Sequence, residues 1–191
     1  MDSFELEIKD DGIFLARGKL SRKDQQSHSL SELIQKAVQW NGKVAACYDK
    51  ALLNDNKLIG QEKVTILKSL ISLHQVLVSM RLYLHMKNHP KDIVSAFSLD
   101  HDYNYKIYQE GYKYTISGKL SEIRLSQFSE FKLWKKEYDK IFQALLAEIR
   151  SSLSDSELSY EEIEKFNLLI DRLIILVIMI HWRLHSDYLD S

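Results

Sequence analysis

At 191 residues the chain is long enough for one generous core or two small ones, and its 26 basic and 27 acidic residues leave no general electrostatic pull toward nucleic acid or anionic lipid. One proline and six glycines leave little room for disordered linkers, and the single cysteine, Cys47, has no internal disulfide partner, which points to a reducing compartment. The longest apolar run, Leu173 to Ile180, falls well short of the roughly 20 residues a bilayer span needs. The opening segment is charged and alternating, without the basic head or apolar stretch of a signal peptide, so a cytoplasmic protein off the membrane is expected.

Phe4, Leu6 and Ile8 alternate with Glu5, Glu7 and Lys9; Asp11-Gly12 supplies a turn, and Ile13 and Leu15 resume the alternation. Period-two apolarity on both sides of Asp-Gly predicts a hairpin, because glycine takes the positive φ of tight primed turns. A polar connection follows, and Ser29 with Glu32 has capping-box spacing. Leu30, Leu33, Ile34, Ala37, Val44 and Tyr48 then fall three and four apart, predicting a helix to about Asn54 in which Gly42 marks a close helix crossing. After a loop at Asp55, a second helix runs from about Gly60 to Asn88, ended by Pro90. The two helices make an antiparallel helical hairpin.

The same order returns one hundred residues later. Gly18-Lys19-Leu20-Ser21 recurs as Gly118-Lys119-Leu120-Ser121, and Leu53, Asp55, Leu58, Glu62, Leu73, Leu84 and His85 as Leu153, Asp155, Leu158, Glu162, Leu173, Leu184 and His185. Upstream, Phe4 to Ile8 aligns with Tyr103 to Ile107 at an offset one shorter. Phe128, Phe131, Trp134, Tyr138, Phe142 and Ile149 stripe the third helix, and Ser159 with Glu162 opens the fourth, which from Phe166 to Leu184 has almost no polar face. A helix apolar all round is enclosed all round, so it belongs at the centre, against the Leu67–Leu84 helix and either a sheet or a second chain.

The fold expected is therefore α+β and predominantly α: two tandem β-hairpin plus helical-hairpin units, 1–92 and 98–191, docked about an approximate two-fold axis into one domain. Whether the hairpins join in one sheet is left open by spacing alone.

Candidate chemistry is sparse. His181 and His185 share a helix face at metal-ligand spacing, repeated in His85 and His89, but Trp182 stands where a zinc-protease helix carries Glu. Arg81 with His85, and Arg183 with His185, are the only hint of a helical nuclease, and their spacings differ between the halves. Asp100-His101-Asp102 reads as a solvated strand entry, and Asp55 and Asp155 as turn and capping residues. Tyrosines crowd the second hairpin, where Tyr103, Tyr105, Tyr112 and Tyr114, with Trp182, form the candidate interaction surface. No phosphate loop, nucleophile elbow or cofactor-binding motif occurs. The expectation is a non-catalytic adaptor, inhibitor or assembly subunit that contacts another protein or a second copy of itself. A metal- or small-ligand-binding protein comes next, and a nuclease-like enzyme third.

Overall fold

The computed structural model describes residues 4–9, 11–20, 30–53, 61–88, 95–98, 103–120, 131–152 and 158–189; within these, the side chains of 47–53, 62–63, 95–98, 103–104, 131–135, 150–152 and 183–189 are not described. The elements run β1 (Glu5–Ile8), β2 (Ile13–Lys19), α1 (Leu30–Leu53), α2 (Gln61–Asn88), β3 (Ser95–Ser98), β4 (Tyr103–Glu110), β5 (Lys113–Leu120), α3 (Phe131–Ser152) and α4 (Tyr160–Leu189). The fold is α+β and mostly helical, and both expected hairpins and all four expected helices form.

The hairpins join in one antiparallel sheet of order β1-β2-β5-β4-β3, in which β3 is a strand the apolar alternation does not announce. Strands β2 and β5 meet along their full length, with Ala16 opposite Ile116, Phe14 opposite Gly118 and Gly18 opposite Tyr114. Each hairpin turns on a glycine with positive φ, 88° at Gly12 and 62° at Gly111. The turns differ in length. Lys9 donates its amide to Ile13 across three residues, whereas Glu110 faces Lys113 across two.

Leu6 of β1 pairs with Ala16 of β2, and Ile107 of β4 with Ile116 of β5.

The helices make two further layers. Helix α1 packs on α2, α3 on α4, and α2 against α4. The sheet is touched by α2 and α4: α2 meets β3, and α4 meets β1 and β4. On the far side α1 and α3 meet where the Tyr138 hydroxyl donates to Asn41 Oδ1 at 2.6 Å. Helices α2 and α4 are thus a middle layer between the sheet and the α1/α3 pair, which is why their apolar residues surround the axis while α1 buries one stripe, Leu33, Ala37 and Val44. Leu173 through Ile180 are all buried, at about 1.5 to 3 kcal/mol for each large side chain. The sheet is a further cover for α4.

Two local expectations resolve at the helices. The capping box at α4 forms, Ser159 Oγ accepting from the Glu162 amide at 3.2 Å and Glu162 Oε1 from the Ser159 amide at 3.3 Å. Gly42 marks no close crossing: a Cβ there would meet nothing within 4 Å. Among the described residues no helix is long and apolar enough to cross a membrane.

Candidate functional site

The polar residues that could do chemistry lie along one seam, between the inner face of the sheet and the α2/α4 pair. Alternation on β4 turns Tyr105 and Ile107 inward, and the Tyr105 hydroxyl donates to Asp171 Oδ1 on α4. The same oxygen accepts from Arg81 Nε of α2 at 2.6 Å. One carboxylate therefore joins a strand and two helices. All three residues are buried, Tyr105 at 2 %, Asp171 at 4 % and Arg81 at 4 % exposure. Burial alone would weaken the Arg81 charge; Asp171 and Tyr105 outweigh it, and the guanidinium's pKa rises. Burial, with the Asp171 charge beside it, pushes the Tyr105 phenol well above its usual range.

Two helical turns before Arg81, His74 places Nδ1 2.8 Å from the Tyr114 hydroxyl of β5. Phe4 stands edge-on to His74 at 5.2 Å and to His181 of α4 at 5.0 Å. Among the described residues His74 Nε2 has no hydrogen-bond partner. Burial, and then repulsion from His181, lowers the His74 pKa to about 3, so the ring is a neutral imidazole at physiological pH. Burial likewise raises the Tyr114 pKa, so its phenol stays protonated. The close approach of Tyr114 is allowed by Gly18 opposite it, where a Cβ would fall 2.5 Å from the hydroxyl oxygen.

This seam fastens the layers together and is sealed. General acid–base work needs a substrate within hydrogen-bond reach of the acting atom, and under the sheet Arg81 and Tyr105 instead face Asp171 while His74 faces Tyr114. Of the two arginines of the nuclease reading, Arg81 is held by Asp171 with its side chain buried, and the Arg183 side chain lies outside the described set. The metal pair is not assembled by the described residues: His181 is buried with its ring on Phe4, and the His185 side chain lies outside the described set. Among the described residues no group of three His, Cys, Asp or Glu could hold a metal ion. Asp55, Asp100, His101, Asp102 and Asp155 lie outside the described residues.

The tyrosine surface is corrected in part. Tyr105 and Tyr114, at 2 % and 1 % exposure, are core residues, because inward alternation on the sheet carries them under the helices. The Tyr103 side chain lies outside the described set and Trp182 is half-buried. Tyr112, at the β4–β5 turn, is 43 % exposed, and Tyr108 is 59 % exposed on the outer sheet face. Ile13 on that face, Met86 on α2, and Tyr160 and Leu168 on α4 are further large apolar residues in solvent.

Sequence reasoning singled out neither Asp171 nor the His74–Tyr114 pair. A signal was available for the first: an acid and an arginine, each inside an otherwise apolar helix, are costly to bury unless they meet. No family model, curated protein or solved structure matches this chain.

Proposed function

We propose that this is a non-catalytic interaction protein, an adaptor, inhibitor or assembly subunit that works by binding another protein. The observation that carries the reading is the division of its tyrosines and titratable groups. Tyr105 and Tyr114 are spent inside with Asp171, Arg81 and His74, while Tyr108 and Tyr112 stand in solvent on the sheet and its turn. What the molecule offers outward is surface with aromatic anchors, the residue type that dominates binding energy at protein interfaces. A reducing, cytoplasmic setting suits the single cysteine.

The same reading takes the chain as two copies of a hairpin plus helical-hairpin unit closed about a local two-fold axis. The supporting observation is register. Residues one hundred apart, Ala16 and Ile116, face each other, and the pairs Phe14–Gly118 and Gly18–Tyr114 exchange under the same offset. The equivalent positions on α2 and α4 around which Arg81–Asp171 and Asn88–Glu164 are balanced are Val76 and Leu176. Duplication gives an assembly body one broad sheet face and two helix ends.

The test is quantitative affinity capture from native extract with the full chain, beside a Tyr112→Glu variant that keeps its unfolding temperature, with the complex mass measured by light scattering. A defined complex formed by the parent chain and weakened in the variant supports the proposal. A chain that retains no protein and remains a monomer, or one that turns over a substrate, overturns it. A mass of two copies with nothing else assigns the partner to the chain itself.

A further inference from the structure

We propose that the outer face of β2, β5 and β4 is the docking surface, and that its occupant is an extended acidic segment of a partner protein; this rests on the interaction reading above. The chain as a whole is nearly neutral, yet this face is not. Outward alternation brings Arg17 and Lys19 of β2, Lys113 and Lys119 of β5 and Lys106 of β4 to one side, all exposed. The same three strands contribute one acid to it, Glu110, and the acids of β1, Glu5 and Glu7, stand at the sheet edge. Among the described residues none of the five cations forms an ion pair.

Their placement costs stability. Glu110 faces Lys113 from β4 and Glu5 faces Arg17 from β1, but Lys19 lies directly opposite Lys113 across the central pair of strands, where like charges repel. An anionic partner relieves that repulsion. Outward residues two apart on one strand, such as Arg17 and Lys19, are about 6.8 Å apart, and neighbouring strands are about 4.8 Å apart. A partner strand carrying Asp or Glu at alternate positions has the same 6.8 Å repeat. Between the cations lie Leu15, Thr115 and Ser117, with exposed Ile13 at one end, which suit side chains of mixed polarity. A single-stranded nucleic acid fits less well, because such strands are held by stacking on successive aromatic rings. Of the outward positions on these strands only Tyr108 is aromatic, and Lys106 Nζ already sits 5.4 Å from the centre of its ring.

The probes are a labelled peptide alternating Glu and Thr, and an oligothymidine of matched charge, titrated against the full chain at low and physiological salt. Expected is saturable peptide binding that weakens with salt and moves the amide resonances of Arg17, Lys19, Lys113 and Lys119. Lys19→Glu with Lys113→Glu should weaken it at least ~10-fold. A less drastic pair, Lys19→Gln with Lys113→Gln, should weaken it in the same direction should the reversal fail to fold. Lys140→Glu with Lys165→Glu, an equal charge change on α3 and α4, should leave it unchanged. No peptide binding, equal loss in the helix variant, or tighter binding of the oligothymidine to the same amides overturns the proposal. If the sheet variants still retain the captured protein partner at full strength, this surface fails while the interaction reading stands; if the parent chain retains no partner, it is the reading that fails.

Discussion

Tyr105 and Arg81 converge on one oxygen of Asp171, so that a strand and two middle-layer helices share a single buried carboxylate. A buried pair of charges is a poor source of net stability but a costly thing to break, since loss of one partner strands the other without solvent.

Asp171→Ala is therefore expected to lower unfolding free energy by about 3 to 5 kcal/mol, and Tyr105→Phe by only about 1 kcal/mol. The residue one hundred positions before Asp171 is the apolar Ile71. The triple variant Arg81→Met, Asp171→Ile, Tyr105→Phe, apolar throughout, should recover most of the loss. Urea unfolding of the three variants checks this; a triple variant no better than Asp171→Ala would mean that the network contributes net stability.

His74 makes stability depend on pH. Its folded pKa of about 3 lies below the unfolded value of 6.5, so between the two the unfolded chain binds the extra proton. Stability is then complete above pH 6.5 and falls as pH drops toward 3, by about 1.4 kcal/mol per pH unit for this one group. The groups facing it are Tyr114 of β5 and His181 of α4, with Phe4 between the two histidines. Urea midpoints from pH 7.5 to 4 should show a slope one proton shallower in His74→Gln; parallel slopes would mean that His74 is solvated.

The periodicities that spelled out this fold are those that bury one face. Hairpins, helix limits and the middle position of α4 were legible because Phe4 to Leu15 alternate and Leu173 to Ile180 admit no polar side. The pairing of β2 with β5 was not, since strand partners one hundred residues apart leave no local mark. The tyrosines misled for a related reason: alternation separates Tyr105 from Tyr108 but does not say which face is covered, and that depends on where α2 and α4 settle. The link of Arg81 to Asp171 was not legible either, since it depends on the crossing of α2 over α4.

Replacing the sheet tyrosines by charge separates the two faces. Tyr105→Glu or Tyr114→Glu places a carboxylate in the core, and neither chain should fold cooperatively. Tyr108→Glu and Tyr112→Glu should shift stability by about 0.5 kcal/mol or less, as is usual for exposed positions. Circular dichroism melts of the four variants decide it; a folded Tyr114→Glu would show that this ring reaches solvent.

Gly18 and Gly42 should respond to alanine with opposite signs. At Gly18 the new methyl meets the Tyr114 hydroxyl and two carbons of its ring, all within 2.9 Å, and that hydroxyl is held by His74. Overpacking of this kind costs about 1 to 3 kcal/mol, so Gly18→Ala should unfold at lower urea, and Tyr114→Leu placed beside it should return part of the loss through coupling between the two sites. At Gly42 the methyl enters open space on an exposed turn of α1, where alanine is the better helix former by up to about 1 kcal/mol. Gly42→Ala should accordingly raise the midpoint. If both alanines stabilise, the Tyr114 ring does not lie over Gly18, and the contact that fixes His74 in the seam is misplaced.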